Sequence, residues 1–70
     1  MKKKIKIKIN GKVKTINQNV NLSNLLKDLR IPIKKVAIEL NKEIIDKKKL
    51  IKIILKNDDK IEIVHFIGGG

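Results

Sequence analysis

The sequence predicts an α+β domain, a mixed sheet of four to five strands with one main helix packed on one face. Three observations predict it. The chain starts with strict apolar alternation in "KIKIKIN"; near residue 20 the apolar spacing lengthens to that of a helix; from residue 36 alternation returns, and it recurs in the last strand, "KIEIVHF". A leucine stripe and several one-sided strands are buried together most simply when the helix lies on the sheet.

Each element has a local reason. "KIKIKIN" sets Ile5, Ile7 and Ile9 on one side of a strand and Lys4, Lys6 and Lys8 on the other, because strand side chains alternate with a period of two. Asn10-Gly11 tolerates the positive φ angles of a type I′ turn, so "KVKTIN" returns as the second strand. Val20, Leu22, Leu25, Leu26 and Leu29 then form the stripe of a helix of about three turns. Asn21 is its expected N-cap, with Val20 before the cap and Leu25 at the fourth helical position clamping the entry. The helix has to stop near Arg30, since Pro32 disfavours helical angles at Ile31. "KKVAIELN" gives a third strand with Val36, Ile38 and Leu40 on one side, and "NKEII" a tight turn through Asn41 into a short strand at residues 43–45. Residues 46–55 read as irregular, with a short helical turn at 47–50. "KNDDK" is a polar turn into the last strand.

If the first and last strands lie parallel at the centre, this order is the ubiquitin-like β-grasp. Residues 1–67 then form the domain, and 68–70 a flexible glycine tail.

At 70 residues the chain is near the lower limit for a single hydrophobic core, with no room for a deep enclosed active site. It has no cysteine, and one histidine cannot assemble a metal site, so redox and metal roles drop out and no cofactor is expected. No stretch approaches the roughly eighteen consecutive apolar residues that span a bilayer, and the basic start alternates where an export segment needs an unbroken apolar run. A soluble cytoplasmic protein with no membrane partner is the expectation. The net charge of +11 invites a polyanion. Against nucleic acid stand two facts: seventeen of the eighteen basic residues are lysine, and Phe66 is the only aromatic ring. Lysine, isoleucine and asparagine fill more than half the chain, the pattern of an A- and T-rich genome.

The last strand carries the functional reading. With Ile61 and Ile63 toward the helix, Glu62, Val64 and Phe66 point outward, where a lone domain favours polar groups, so Val64, Phe66 and the adjoining Ile67 are candidates for partner docking. His65 falls on the core-side alternation and reads as a half-buried structural residue, not a catalytic one. Gly68, Gly69 and Gly70 lack the downstream helix that a phosphate-binding loop requires. Without side chains they can thread a narrow channel in another protein, and the α-carboxylate of Gly70 is the one reactive handle they offer. A carboxylate becomes an acyl donor once it is adenylated.

The opening "IKINGK", the helix "NLSNLLKDL", the segment "VAIELNKEII" and above all "DDKIEIVHFIGGG" resemble the ThiS family of sulfur carriers over essentially the whole chain. The resemblance implies that an adenylating (E1-like) enzyme with ATP activates Gly70, that a cysteine desulfurase or related donor supplies sulfur for a thiocarboxylate, and that thiazole synthase takes that sulfur during thiamine biosynthesis. The chain itself would then be a carrier and not an enzyme. Asp58-Asp59 stands where many members have Asp-Gly. Two alternatives remain open: a sister carrier serving molybdopterin synthesis or tRNA thiolation, and a small basic nucleic-acid-binding module.

Overall fold

Two strands, β1 (Lys4–Ile9) and β2 (Lys12–Asn17), form an antiparallel hairpin whose two-residue turn puts Asn10 at φ 50° and Gly11 at φ 82°. This turn matches the right-handed twist of the strands it joins. The computed structural model describes residues 3–66. Register pairs Ile5 with Ile16, Ile7 with Lys14 and Ile9 with Lys12. On its core side, therefore, β2 gives only Ile16 to the interior, and two lysines line the outer margin. Charged side chains on an edge strand discourage pairing with another chain.

Helix α1 (Leu22–Asp28) is seven residues long, about two turns where the apolar stripe predicts three. Asn21 is the N-cap as expected, its side chain accepting from the Asn24 amide at 2.7 Å. The shortening happens at the C-terminal end: Val20 lies before the cap as expected, but Leu29 is already the C-cap. Behind it Arg30 adopts φ 58°, its amide donates to the Lys27 carbonyl at 3.0 Å, and the Ile31 amide reaches back to the Leu26 carbonyl at 3.0 Å. These two bonds are the Schellman closure, usually built on glycine. Here an arginine occupies the left-handed position, so the helix ends before Pro32 can act on it.

A 3-10 turn at Ile33–Lys35 leads into β3 (Val36–Leu40), which turns through Asn41 (φ 51°) and Lys42 (φ 72°) into β4 (Glu43–Ile44). The expected third residue, Ile45, keeps one ladder bond, donating from its amide to the Ile38 carbonyl at 2.9 Å. The helical turn expected in the irregular segment is present and longer, a 3-10 helix over Lys47–Lys52 capped by the Asp46 side chain, with Leu50 buried. Beyond it, the Leu22 amide bonds the Ile53 carbonyl and the Leu55 amide bonds the Val20 carbonyl. The segment thus straps across the start of α1 and inserts Leu55 into the core.

The turn before the last strand places Asp58 at φ 70°, a left-handed position that aspartate tolerates better than most residues. Asp59 uses its carboxylate structurally, accepting from the Lys56 amide at 2.8 Å and the Asn41 side chain at 3.0 Å. Strand β5 (Lys60–His65) then enters the middle of a five-stranded sheet ordered β2-β1-β5-β3-β4. It runs parallel to β1 and antiparallel to β3. This is the β-grasp arrangement. Its interior joins Ile7 and Ile61 from the two central strands, Val36 and Ile38 from β3, and Leu22, Leu25 and Leu26 from α1. Each such side chain contributes about 1.5–3 kcal/mol by leaving water.

Candidate functional site

The end of β5 is held unevenly. Up to Ile61 the strand has β1 on one side and β3 on the other; β1 stops at Ile9, the partner of Ile61. One residue later the Asn10 side chain replaces a strand. Its Oδ1 accepts from the Ile63 amide at 2.8 Å, and its Nδ2 donates to the Ile63 carbonyl at 3.4 Å. The left-handed Asn10 therefore both makes the hairpin turn and extends the hydrogen-bonded edge of β5 by one pair. Past Ile63 only β3 continues, pairing Val64 with Ala37 and accepting the Phe66 amide at the Lys35 carbonyl, 2.9 Å. Because strand amides alternate in direction, the His65 amide and carbonyl face the edge that β1 has vacated.

Val64 and Phe66 lie on the outer face, 53% and 59% exposed, as alternation predicts. Register adds two residues that the sequence did not single out. Ala37 is directly opposite Val64, and Ile44, 77% exposed, is opposite Glu39 on the same face. Large side chains left this open at one end of a sheet make this face a candidate for partner contact. Above it the Lys47 ammonium sits 5.3 Å from the centre of the Phe66 ring, near enough for attraction to the ring's negative face. That contact meets the last described side chain, one residue past β5. Ile44 is placed by the local β3–β4 hairpin, whereas the register of β3 against β5 brings Ala37 here and the 3-10 helix brings Lys47, neither of which a local signal could have found.

His65 corrects the sequence reading. Its pairing with Val36 does put it on the core side of the sheet, but it is exposed, because it lies beyond the end of β1 at the open edge. The expectations for Ile67, Gly68, Gly69 and Gly70 lie outside the described residues. Among the described residues no helix is long and apolar enough to cross a membrane, and no cluster of three metal-ligating side chains occurs.

The ThiS family model matches residues 7–70. The chain is 42% identical over 65 residues to the sulfur carrier protein ThiS of Bacillus subtilis, covering 91% of this chain and 98% of that one. It is 39% identical over 66 residues to a thiazole synthase of Magnetococcus marinus, covering 94% of this chain and 20% of the relative. A second thiazole synthase, from Paramagnetospirillum magneticum, matches at 38% identity with the same coverages, so the chain spans about a fifth of the length of these two relatives. Among solved structures, the thiamine biosynthesis protein ThiS of Geobacter metallireducens superposes with a TM-score of 0.83 at 29% identity, over 94% of this chain and all of that one. The family model spans nearly the whole chain, and the Bacillus carrier matches over nearly all of its own length: the chain belongs to the ThiS family.

Proposed function

We propose that this chain is a sulfur carrier for thiazole formation, a protein substrate and not a catalyst. The observation that carries the proposal is the way β5 ends. A central strand, braced by Asn10 as far as Ile63, delivers the chain to an exposed apolar face at Val64 and Phe66, and the sequence continues from there into Ile67 and three glycines. In this reading the body docks through Val64, Phe66 and Ile67, while Gly68 and Gly69 thread into the partner. The α-carboxylate of Gly70 attacks ATP in an adenylating enzyme, releasing pyrophosphate and leaving an acyl-adenylate. Sulfide then displaces AMP to leave a thiocarboxylate; where a cysteine desulfurase or another donor supplies the sulfur as a persulfide, its attack displaces AMP to give an acyl disulfide, which a second thiol cleaves to the thiocarboxylate with formation of a disulfide. Membership of the ThiS family supports this chemistry. That a stretch like this chain occurs within two proteins called thiazole synthase supports such an enzyme as the acceptor.

The test is intact mass after incubation with the adenylating enzyme, ATP and a sulfide source. The expected product has one oxygen replaced by sulfur, and a variant lacking Gly70 remains folded but unmodified. The thiocarboxylated protein offered to thiazole synthase with its sugar-phosphate substrate should lose that sulfur. Retention there, with transfer to a molybdopterin or tRNA-thiolating system, would reassign the acceptor; no mass change at all would refute the carrier role.

A further inference from the structure

The outer sheet face is divided. On one half, Lys4, Lys6 and Lys8 of β1 form a row whose successive members are about 7 Å apart along the strand. Lys60 of β5 stands opposite Lys8, extending the row sideways across about 5 Å between strands. All four are exposed. The cross-strand neighbours on β2 are Asn17, Thr15 and Val13, none of which carries charge. A shallow groove of about 250 Å³ runs here between Lys6, Lys8 and Lys60, with Val13 and Asp58 at its sides. Glu62 and Glu39, paired across β5 and β3, separate the lysines from the apolar end at Ala37, Val64 and Phe66. Asp58 and Glu62 are the carboxylates bordering the row, two against four lysines, so this half remains cationic.

We propose that the lysine row is a second half of the docking face, fitted to an acidic protein surface on the adenylating enzyme that receives the tail. The inference rests on the carrier reading and adds to it a requirement on the partner. An enzyme that covers Val64 and Phe66 must bring its surface close to the adjoining strands of the same sheet. Against those strands a neutral wall would strip water from four ammonium groups without return, and a basic wall would repel them. Carboxylates opposite the row remove both penalties and draw the two proteins together before contact. The row lacks the guanidinium groups and aromatic rings that would fit it to nucleic acid instead.

The experiment measures association with the adenylating enzyme of the same organism by stopped flow from low to high salt. The row variant, Lys6→Gln, Lys8→Gln and Lys60→Gln, is compared with a control variant of equal charge loss on the 3-10 helix, Lys48→Gln, Lys49→Gln and Lys52→Gln. The expected result is an association rate lowered about tenfold in the row variant at low salt, with a flattened salt dependence and little change in dissociation. The control should fall about twofold or less by the same reasoning. Equal losses in the two variants would reduce the row to a share of net charge and overturn the proposal. So would unchanged enzyme association accompanied by row-dependent binding of a single-stranded RNA 20-mer at physiological salt. Thiocarboxylate formation at saturating enzyme separates the two layers: if wild type and row variant are both modified but their association rates agree, only the row assignment falls, whereas an unmodified wild type removes the carrier reading and this inference together.

Discussion

Replacing Asn10 with alanine removes two functions of one side chain, and replacing it with glycine removes only one. The alanine variant loses the 2.8 Å bond to the Ile63 amide and the longer 3.4 Å bond to its carbonyl. That site is half-buried, so the Ile63 amide is left without a partner at a cost of about 1–2 kcal/mol. Alanine must also hold φ 50°, which costs about 1 kcal/mol more than asparagine or glycine pays in the left-handed region. The alanine variant should therefore lose about 2–3 kcal/mol and the glycine variant about 1–2 kcal/mol. For a chain of 70 residues, whose whole stability is of order 4–10 kcal/mol, either loss is readily measured by urea denaturation. Amide exchange supplies the local readout: Ile63 should exchange faster in both variants, relative to global unfolding, while Val64, bonded to β3, should not. Equal losses for alanine and glycine would refute the backbone term. Losses below about 0.5 kcal/mol in both would show that the Asn10 side chain is not what ends the β1 side of the strand.

Other perturbations test separate parts of the structure. Arg30→Gly relieves the left-handed residue of the helix closure without touching either bond around it, and should raise stability by about 0.5–1 kcal/mol, a gain of about 3–6 °C in melting temperature. Phe66→Glu should leave the melting temperature within a degree or two, since the ring is 59% exposed, yet weaken association with the adenylating enzyme about tenfold or more; unchanged affinity would remove Phe66 from the docking face. Leu26→Ala, at a fully buried position between α1 and the sheet, should cost about 2–5 kcal/mol and leave much of the protein unfolded at 37 °C, detectable by circular dichroism.

What could be read from the sequence was whatever depends on near neighbours. Alternation at Ile5, Ile7 and Ile9, the Asn10-Gly11 turn, the Asn21 cap and the left-handed Asn41 are all settled within a few residues of chain, and the structure has each of them. The helix came out shorter than its stripe because apolar periodicity does not distinguish Leu29 within a helix from Leu29 closing one. The decisive residue, Arg30, carries no left-handed preference of its own and is held there by the Lys27 and Leu26 carbonyls. Residues 46–55 were harder still, since Leu50 and Leu55 answer to the start of α1 and to no period along their own segment. For the site, Val64 and Phe66 followed from alternation in β5, but Ala37 comes beside them through the pairing of β3 with β5, and Lys47 through the placement of the 3-10 helix over the Phe66 ring. His65 shows the limit from the other side: its direction was inferred correctly, and its burial was not, because exposure at a sheet's end depends on where the adjacent strand stops.

That stopping point divides one strand into a part that shares the core and a part that does not. Ile61 and Ile63 are buried and bonded toward Asn10 on one edge, while the alternating Glu62 and Val64 pair with β3 on the other, so this part of the strand shares the stability of the whole domain. Val64 and Phe66 keep bonds on one edge and expose their side chains, so opening them exposes little further apolar surface and breaks few bonds. A partner that bends the chain beyond Ile63 therefore works against local bonds only, and the energy of the core is not drawn upon. The Lys47 contact with the Phe66 ring lies on the compliant side of this boundary, where an attraction of about 0.5–1 kcal/mol can bias the exit direction without fixing it. Had β1 been four residues longer, its register would have reached His65 and clamped β5 on both edges, and docking would have had to break a sheet to move the same segment.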